Sequence, residues 1–268
     1  MPWTKSETHI QYLSDLHLER FKYEGFSVNP AAPYLLLVGD IGRFTDYHAY
    51  RAFLLLQCER FEKVLLIAGN HEFYGATRQE GLDAASRLEC DPALQGKLLF
   101  MNRARFDIPG TKYTILGCTL HSHIASNFTK LTNDFQRIKD WRVAHHNAEH
   151  QRDLDWLQAS LTELAQSGRR VIVATHYAPA FEKTTHPANE NNAVSQCFSS
   201  DTLKALDAWQ GSGQVSHWIF GHTHWNTKFK HGRVRLLSNQ LSNDSQNLSW
   251  WQKRVLYRPF DPVAKITV

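Results

Sequence analysis

An α/β fold is expected from three features of the sequence. Short apolar runs rich in Leu, Ile and Val recur along the 268 residues, each bounded by polar or glycine positions, as buried strands are. Helical patterns separate these runs in the first half, which predicts βαβ units and parallel pairing. In the second half the runs lie closer together, so a mixed or antiparallel part is expected there. No repeat, low-complexity tract or Pro/Gly/Ser linker breaks the pattern, and one domain over residues 1–268 follows.

The strand runs are 10–13, 34–38, 64–68, 98–101, 113–116, 171–174, 218–220 and 234–237. Helical patterns cover 46–61, with Thr45 or Asp46 placed to cap it, and more weakly 77–88. The clearest covers 149–166, where Leu154, Leu157, Leu161 and Leu164 step by three and four into one apolar stripe and Gly168 follows as a C-terminal cap. On this reading His145, His146 and His150 sit before or on that helix, in solvent. A last helix is expected over 201–209. Two stretches, 122–140 and 178–200, stay irregular, and long irregular segments in compact domains are often functional loops.

Composition narrows the function classes. A formal net charge of +4 favours anionic substrates in a general way, but it is far from the concentrated basic stripe of a dedicated nucleic-acid binder. Cys58, Cys90, Cys118 and Cys197 form no CxxC pair, which argues against a zinc ribbon or redox motif and suits a reduced, cytoplasmic protein. No secretory signal is expected from the first residues, and no apolar run approaches the roughly 20 residues of a membrane helix.

The chemistry lies where the strands end. Asp15 and His17 follow the first run, Gly39-Asp40 the second, Gly69-Asn70-His71-Glu72 the third, His176 the run at 171–174, and Gly221-His222-Thr223-His224 the run at 218–220. Carboxyl ends of strands are where open α/β sheets place ligands. Asp15 and His17 are two apart, so an extended backbone would point both to one side and to one ion. His222 and His224 repeat the spacing, though a loop could equally direct them to neighbouring ions. Glycines 39, 69 and 221 permit close backbone approach to a ligand. Two ions roughly 3.5–4 Å apart need a carboxylate between them, and Asp40 is the natural candidate, being on a central strand with no ligand-type neighbour.

In this order the motifs DxH, GD, GNHE, H and GHxH resemble the calcineurin-like metallophosphoesterase superfamily, over most of the chain from Asp15 to His224. The resemblance implies a four-layer α/β/β/α sandwich with two mixed central sheets and the metals at their edge. It implies that Asp15, His17, Asp40 and His224 hold one metal and Asp40, Asn70, His176 and His222 the second. His71 resembles the family's histidine that is not a ligand but contacts the phosphate and protonates the leaving group. The protein Ser/Thr phosphatases continue the second motif as GDxxDRG; here Gly39-Asp40-Ile41-Gly42-Arg43-Phe44 lacks that acid. Arg43 also stands where purple acid phosphatases carry a metal-binding tyrosine, which argues against a tyrosinate-iron centre. The pattern is closer to the small phosphodiesterase-like branch.

The expected reaction is hydrolysis of a phosphodiester or small phosphomonoester by metal-bound hydroxide, with His71 as general acid. Imidazole, carboxylate and amide ligands without thiolate suit two divalent or trivalent transition metals, Mn, Fe, Zn, Co or Ni. The expected partner is a small phosphorylated substrate, with no membrane; the oligomeric state is not legible. A nuclease is the rival within the same chemistry, and it would need a basic groove or stacking aromatics. A non-catalytic scaffold is the rival from another class, but every ligand position and His71 are filled. Candidate substrate residues are Arg43, which could instead pair with Asp46, and His186, Asn191 and Asn192 in the 178–200 segment. His121 and His123, two apart after another strand, read equally as pocket wall or as surface.

Overall fold

The computed structural model describes residues 8–190, 192–243 and 248–268. In chain order the elements are β1 (His9–Leu13), α1 (Leu18–Phe21), β2 (Tyr34–Val38), α2 (Tyr47–Arg60), β3 (Lys63–Ile67), α3 (Arg78–Glu89), β4 (Leu98–Phe100), β5 (Ala104–Asp107), β6 (Tyr113–Cys118), α4 (Asp134–Arg137), α5 (Val143–Leu164), β7 (Arg170–Thr175), α6 (Thr202–Leu206), β8 (Val215–Phe220), β9 (Lys228–His231), β10 (Val234–Ser238), α7 (Trp250–Leu256) and β11 (Lys265–Thr267). They form two sheets, ordered β11-β1-β2-β3-β4 and β5-β6-β7-β8-β10-β9. β1 to β4 are parallel and β11 closes that sheet antiparallel. In the second sheet β6, β7, β8 and β10 are parallel, with antiparallel β5 and β9 at the edges.

The pleat sorts the strand residues into layers. Leu36, Val38, Leu65 and Ile67 face Ile115, Ile172, Ala174 and Ile219, so the two sheets pack on each other. Leu35, Leu37, Val64 and Leu66 point the other way, onto Tyr50, Phe53 and Leu54 of α2 and Ala84, Ala85 and Leu88 of α3. On the far side Leu116, Val171, Val173 and Trp218 pack on Leu157, Leu161 and Leu164 of α5 and Leu203 and Leu206 of α6. The result is the expected α/β/β/α sandwich with two mixed sheets. No described helix is long and apolar enough to cross a membrane.

The eight apolar runs each became a strand, with bounds shifted by up to three residues. The three strands that the pattern did not predict, β5, β9 and β11, are all edge strands carrying one large apolar side chain each, Phe106, Phe229 and Ile266. An edge strand buries little, so periodicity has little to read. Thr77 caps α3 through a reciprocal capping box with Glu80, whereas Asp46 precedes α2 without capping it and instead accepts from the Tyr23 hydroxyl at 3.2 Å. The helix at 201–209 is shorter, Thr202–Leu206.

One expectation is overturned in α5, which starts at Val143, six residues before the predicted 149. Its first turns pack under the loop after β6, so His146 and His150 are buried rather than solvated; only His145 is exposed. The Leu stripe could not reveal this, because the burying partners are polar. His150 Nδ1 donates to the Leu120 carbonyl at 2.8 Å, and His146 packs edge-on against His121.

Candidate metal centre

The carboxyl ends of β1, β2 and β3 in one sheet and of β7 and β8 in the other converge on one place. Asp15, His17, Asp40, Asn70, His71, His176 and His222 are all under 10% exposed there, with His224 at the rim. The close approach needs the glycines: a Cβ on Gly39 would lie 2.3 Å from His176 Nδ1, on Gly69 2.3 Å from Asp40 Oδ1, and on Gly221 2.1 Å from Ser14 Oγ.

The local backbone departs from expectation. Asp15 (φ 52°), His17 (47°), Asp40 (52°), His222 (69°) and His224 (50°) are left-handed, not extended. The two-residue spacing therefore does not work by strand alternation; single left-handed residues turn each side chain inward. Such conformations cost a non-glycine residue roughly 1–2 kcal/mol each, and clusters of them mark functional sites.

Two donor sets result. In the first, His17 Nε2 and His224 Nε2 are 3.1 Å apart, and Asp15 Oδ1 is 3.4 Å from His224 Nε2. In the second, His176 Nε2 lies 3.2 Å from His222 Nδ1 and 3.3 Å from Asn70 Oδ1. Asp40 belongs to both: Oδ1 is 3.4 Å from His176 Nε2, and Oδ2 is 3.9 Å from His17 Nε2. The second-set tautomers follow from the outer nitrogens. His176 Nδ1 donates to the Val38 carbonyl at 2.9 Å and His222 Nε2 to the Cys197 carbonyl at 3.3 Å, so His222 Nδ1, and His176 Nε2 once it gives up its proton, are the nitrogens that offer lone pairs to an ion. Donor atoms 3.1–3.9 Å from one another are close enough for each set to be shared by one ion. Asp15, His17 and His224, and Asp40, His176 and His222, could each hold an ion; His71 stands close enough to His17 and Asp40 to form a third such group.

Protonation suits cations. Burial pushes the Asp40 carboxyl up, but the His71 and His176 charges outweigh it and hold it well below the usual range. Asp15 is likewise held down, burial being outweighed by the His224 hydrogen bond and the His176 charge. Burial pushes His222 down to about 3, helped by His176, so it is neutral. His176 is opposite in sign: burial lowers it, yet Asp40 raises it to about 9, so a cation entering there displaces a proton.

A family model for calcineurin-like phosphoesterases matches residues 10–226. The chain belongs to the calcineurin-like phosphoesterase family. It is a metal-dependent phosphoesterase, from a family that works with two metals. It is 26% identical over 263 residues to an uncharacterised protein of Acanthamoeba polyphaga mimivirus, covering 87% of this chain and 90% of that one. Its fold is similar to that of phosphopantetheinyl hydrolase from Mycobacterium tuberculosis (TM-score 0.65, 18% identity, 88% of this chain and 91% of that one). It is also similar to a dimetal phosphatase from Danio rerio (TM-score 0.55, 14% identity, 89% and 88%).

The candidate substrate residues of this phosphoesterase divide. The 178–200 segment does border the centre: Phe198 stacks on His222 with ring centroids 4.8 Å apart, and His186 packs edge-on against Trp225, the neighbour of His224, at 5.1 Å. Asn191 lies outside the described residues. Asn192 turns inward on its own loop, its Oδ1 accepting from the backbone of Val194 and Ser195. Arg43 forms no ion pair with Asp46, and its Nε is buried without a partner. His121 is buried against Tyr177 and pairs with Asp153 at 3.4 Å, so it is a wall behind the centre and not part of an open pocket. His123 is exposed.

Other residues had no reading from sequence. Glu19 Oε1 lies 2.8 Å from His71 Nδ1 and 3.4 Å from His17 Nδ1; burial raises its pKa but those two hydrogen bonds prevail and hold it at about 2. Its place two residues after His17 was the available signal. Glu72 closes the GNHE motif: its carboxyl accepts from the backbone N–H groups of Asp40 (2.9 Å), Ile41 (2.8 Å) and Gly69 (2.7 Å), clamping two metal-site loops together. Burial, reinforced by Asp40, pushes Glu72 up to about 7.

Proposed function

We propose that this phosphoesterase binds two transition-metal ions and hydrolyses a phosphodiester or small phosphomonoester. Asp15, His17, Asp40 and His224 hold one ion, and Asp40, Asn70, His176 and His222 the other. The observation that carries this reading is the division of Asp40, one oxygen toward each donor set. Ions held there would bring the pKa of water from 15.7 towards about 7 and would polarise the phosphoryl oxygens.

The remaining work falls to side chains. His71 keeps Nδ1–H on Glu19, which leaves Nε2 turned to the centre, 3.8 Å from Asp40 Oδ2. From there Nε2–H is given to the departing oxygen. Glu19 fixes the ring's orientation and accommodates its charge, in the way an acid beside a catalytic imidazole does. The 178–200 segment, through Phe198 against His222 and His186 against Trp225, forms a wall beside the leaving group. The four free cysteines suit a reducing, cytoplasmic setting.

Elemental analysis with turnover of bis-p-nitrophenyl phosphate tests the reading. Two metals per chain and hydrolysis that chelators abolish are expected. Full activity after stripping overturns it. A panel of cyclic nucleotides, sugar phosphates, phosphopantetheinyl diesters and DNA then sorts the substrate class; preference for DNA would favour the nuclease.

A further inference from the structure

Behind the second donor set lies a carboxylate that the reading above leaves unused. Asp134, the first residue of α4, is 1% exposed. Its Oδ1 accepts from Asn70 Nδ2 at 2.8 Å and from the Tyr74 hydroxyl at 2.8 Å, and its Oδ2 from the Tyr177 hydroxyl at 3.0 Å. Asn70 Nδ2 also donates to the Tyr74 hydroxyl at 2.8 Å. Both amide hydrogens of Asn70 are thus committed, and its Oδ1 is left facing His176 Nε2 at 3.3 Å. No lysine or arginine among the described residues forms an ion pair with Asp134.

An amide is a ligand at one end only, because its oxygen has lone pairs for a cation and its nitrogen has none to spare. Which end faces the centre is decided by what holds the other end. The two donor sets also differ in charge: the first has Asp15 and a share of Asp40, the second only a share of Asp40 beside neutral Asn70 and two imidazoles. A buried carboxylate held by neutral donors alone is costly to the fold. A cation a few ångströms away, beyond Asn70, offsets that cost.

We propose that Asp134 is the positioning residue of the second metal ion, locking the Asn70 amide oxygen inward and lending that site the negative charge it lacks. This rests on the two-metal reading. Residues behind metal ligands typically matter about 10–100-fold in affinity. The effect is confined to one site, since none of the three groups bonded to Asp134 hydrogen-bonds to Asp15, His17 or His224.

Calorimetric titration of the metal-stripped full chain with Mn²⁺ tests it. The wild type takes up two ions. Asp134→Asn keeps one site unchanged and weakens the other by about 10–100-fold. The exchange Asn70→Asp with Asp134→Asn reverses the hydrogen bond and places the carboxylate on the ion, so it restores second-site affinity to within about tenfold of wild type. A merely structural role predicts equal weakening of both sites and no rescue by the exchange. Either result, or wild-type affinities in Asp134→Asn, overturns the proposal. If the wild type itself takes up fewer than two ions, the two-metal reading fails first and the proposal falls with it.

Discussion

Two buried polar clusters meet at the ring of Tyr177, which packs on His222 at 4.1 Å and stacks on His121 at 5.5 Å. Beyond His121, Glu149 and Asp153 of α5 are matched by the protein's own cations: Arg78 reaches Glu149 at 2.5 Å, Arg103 reaches Glu149 at 3.1 Å and Asp153 at 2.6 Å, and Arg152 also pairs with Glu149. On the other side, Asp15 and Asp40 pair only with histidines among the described residues. Both clusters bury carboxylates, and charge buried unpaired is expensive. The carboxylates of the first cluster are matched by arginines of the same chain. The second has only imidazoles opposite its carboxylates, and an imidazole that gives up its proton becomes a ligand whereas an arginine cannot. Buried charge alone does not mark a metal site; buried carboxylates faced by converging imidazoles do.

The largest effect expected from this comparison follows Asp40→Asn. It removes the one carboxylate shared by both donor sets, so metal content falls below two per chain and turnover drops by more than the roughly 100-fold typical of residues behind a ligand. Wild-type content and turnover would end the bridging assignment. His71→Ala comes next. It keeps two metals and loses about 10²–10⁴-fold in turnover on alkyl esters, where the leaving oxygen needs a proton. Nitrophenyl esters suffer less; equal loss on both kinds would reduce His71 to a phosphate contact.

Glu149→Gln probes the self-neutralised cluster. Burial raises the Glu149 pKa, but the Arg78 and Arg103 charges outweigh this and hold it at about 2, below its unfolded value. Its stabilisation is therefore present above about pH 4.5 and lost as pH falls towards 2. Denaturation midpoints should show the variant less stable by on the order of 2 kcal/mol at pH 7, with the gap closing below pH 4 and metal affinity unchanged. A pH-independent gap, or weakened metal binding, would dissolve the distinction between the clusters. The smallest effect belongs to His186→Ala, which leaves metal content and nitrophenyl ester hydrolysis intact. It shifts the ranking of natural substrates by about 10-fold, as loss of one pocket contact does; an unchanged ranking would remove the 178–200 segment from specificity.

The strands were legible because buried parallel strands are continuous apolar runs between polar ends. The edge strands β5, β9 and β11 were not, since each buries too little to leave a pattern. The misplaced histidines have a related cause. His146 and His150 look like surface residues on a helix whose buried face is read from leucines, yet their neighbours are His121, Tyr177 and the Leu120 carbonyl, polar partners supplied from other segments.

By itself the sequence determined which donor types stand at the end of each strand, because strand periodicity and the glycines beside Asp40, Asn70 and His222 are local properties. The tertiary structure decided how those donors are used. Left-handed turns at Asp15, His17, Asp40, His222 and His224 aim the side chains, and the meeting of two sheets divides the oxygens of Asp40 between two sets. Only the fold brings Asp134 to Asn70, 64 residues away, and Glu19 to His71, 52 residues away. The physical reason is range: a pattern reports what a residue does to its own segment, whereas a hydrogen bond that orients a ligand joins atoms whose separation along the chain carries no signal.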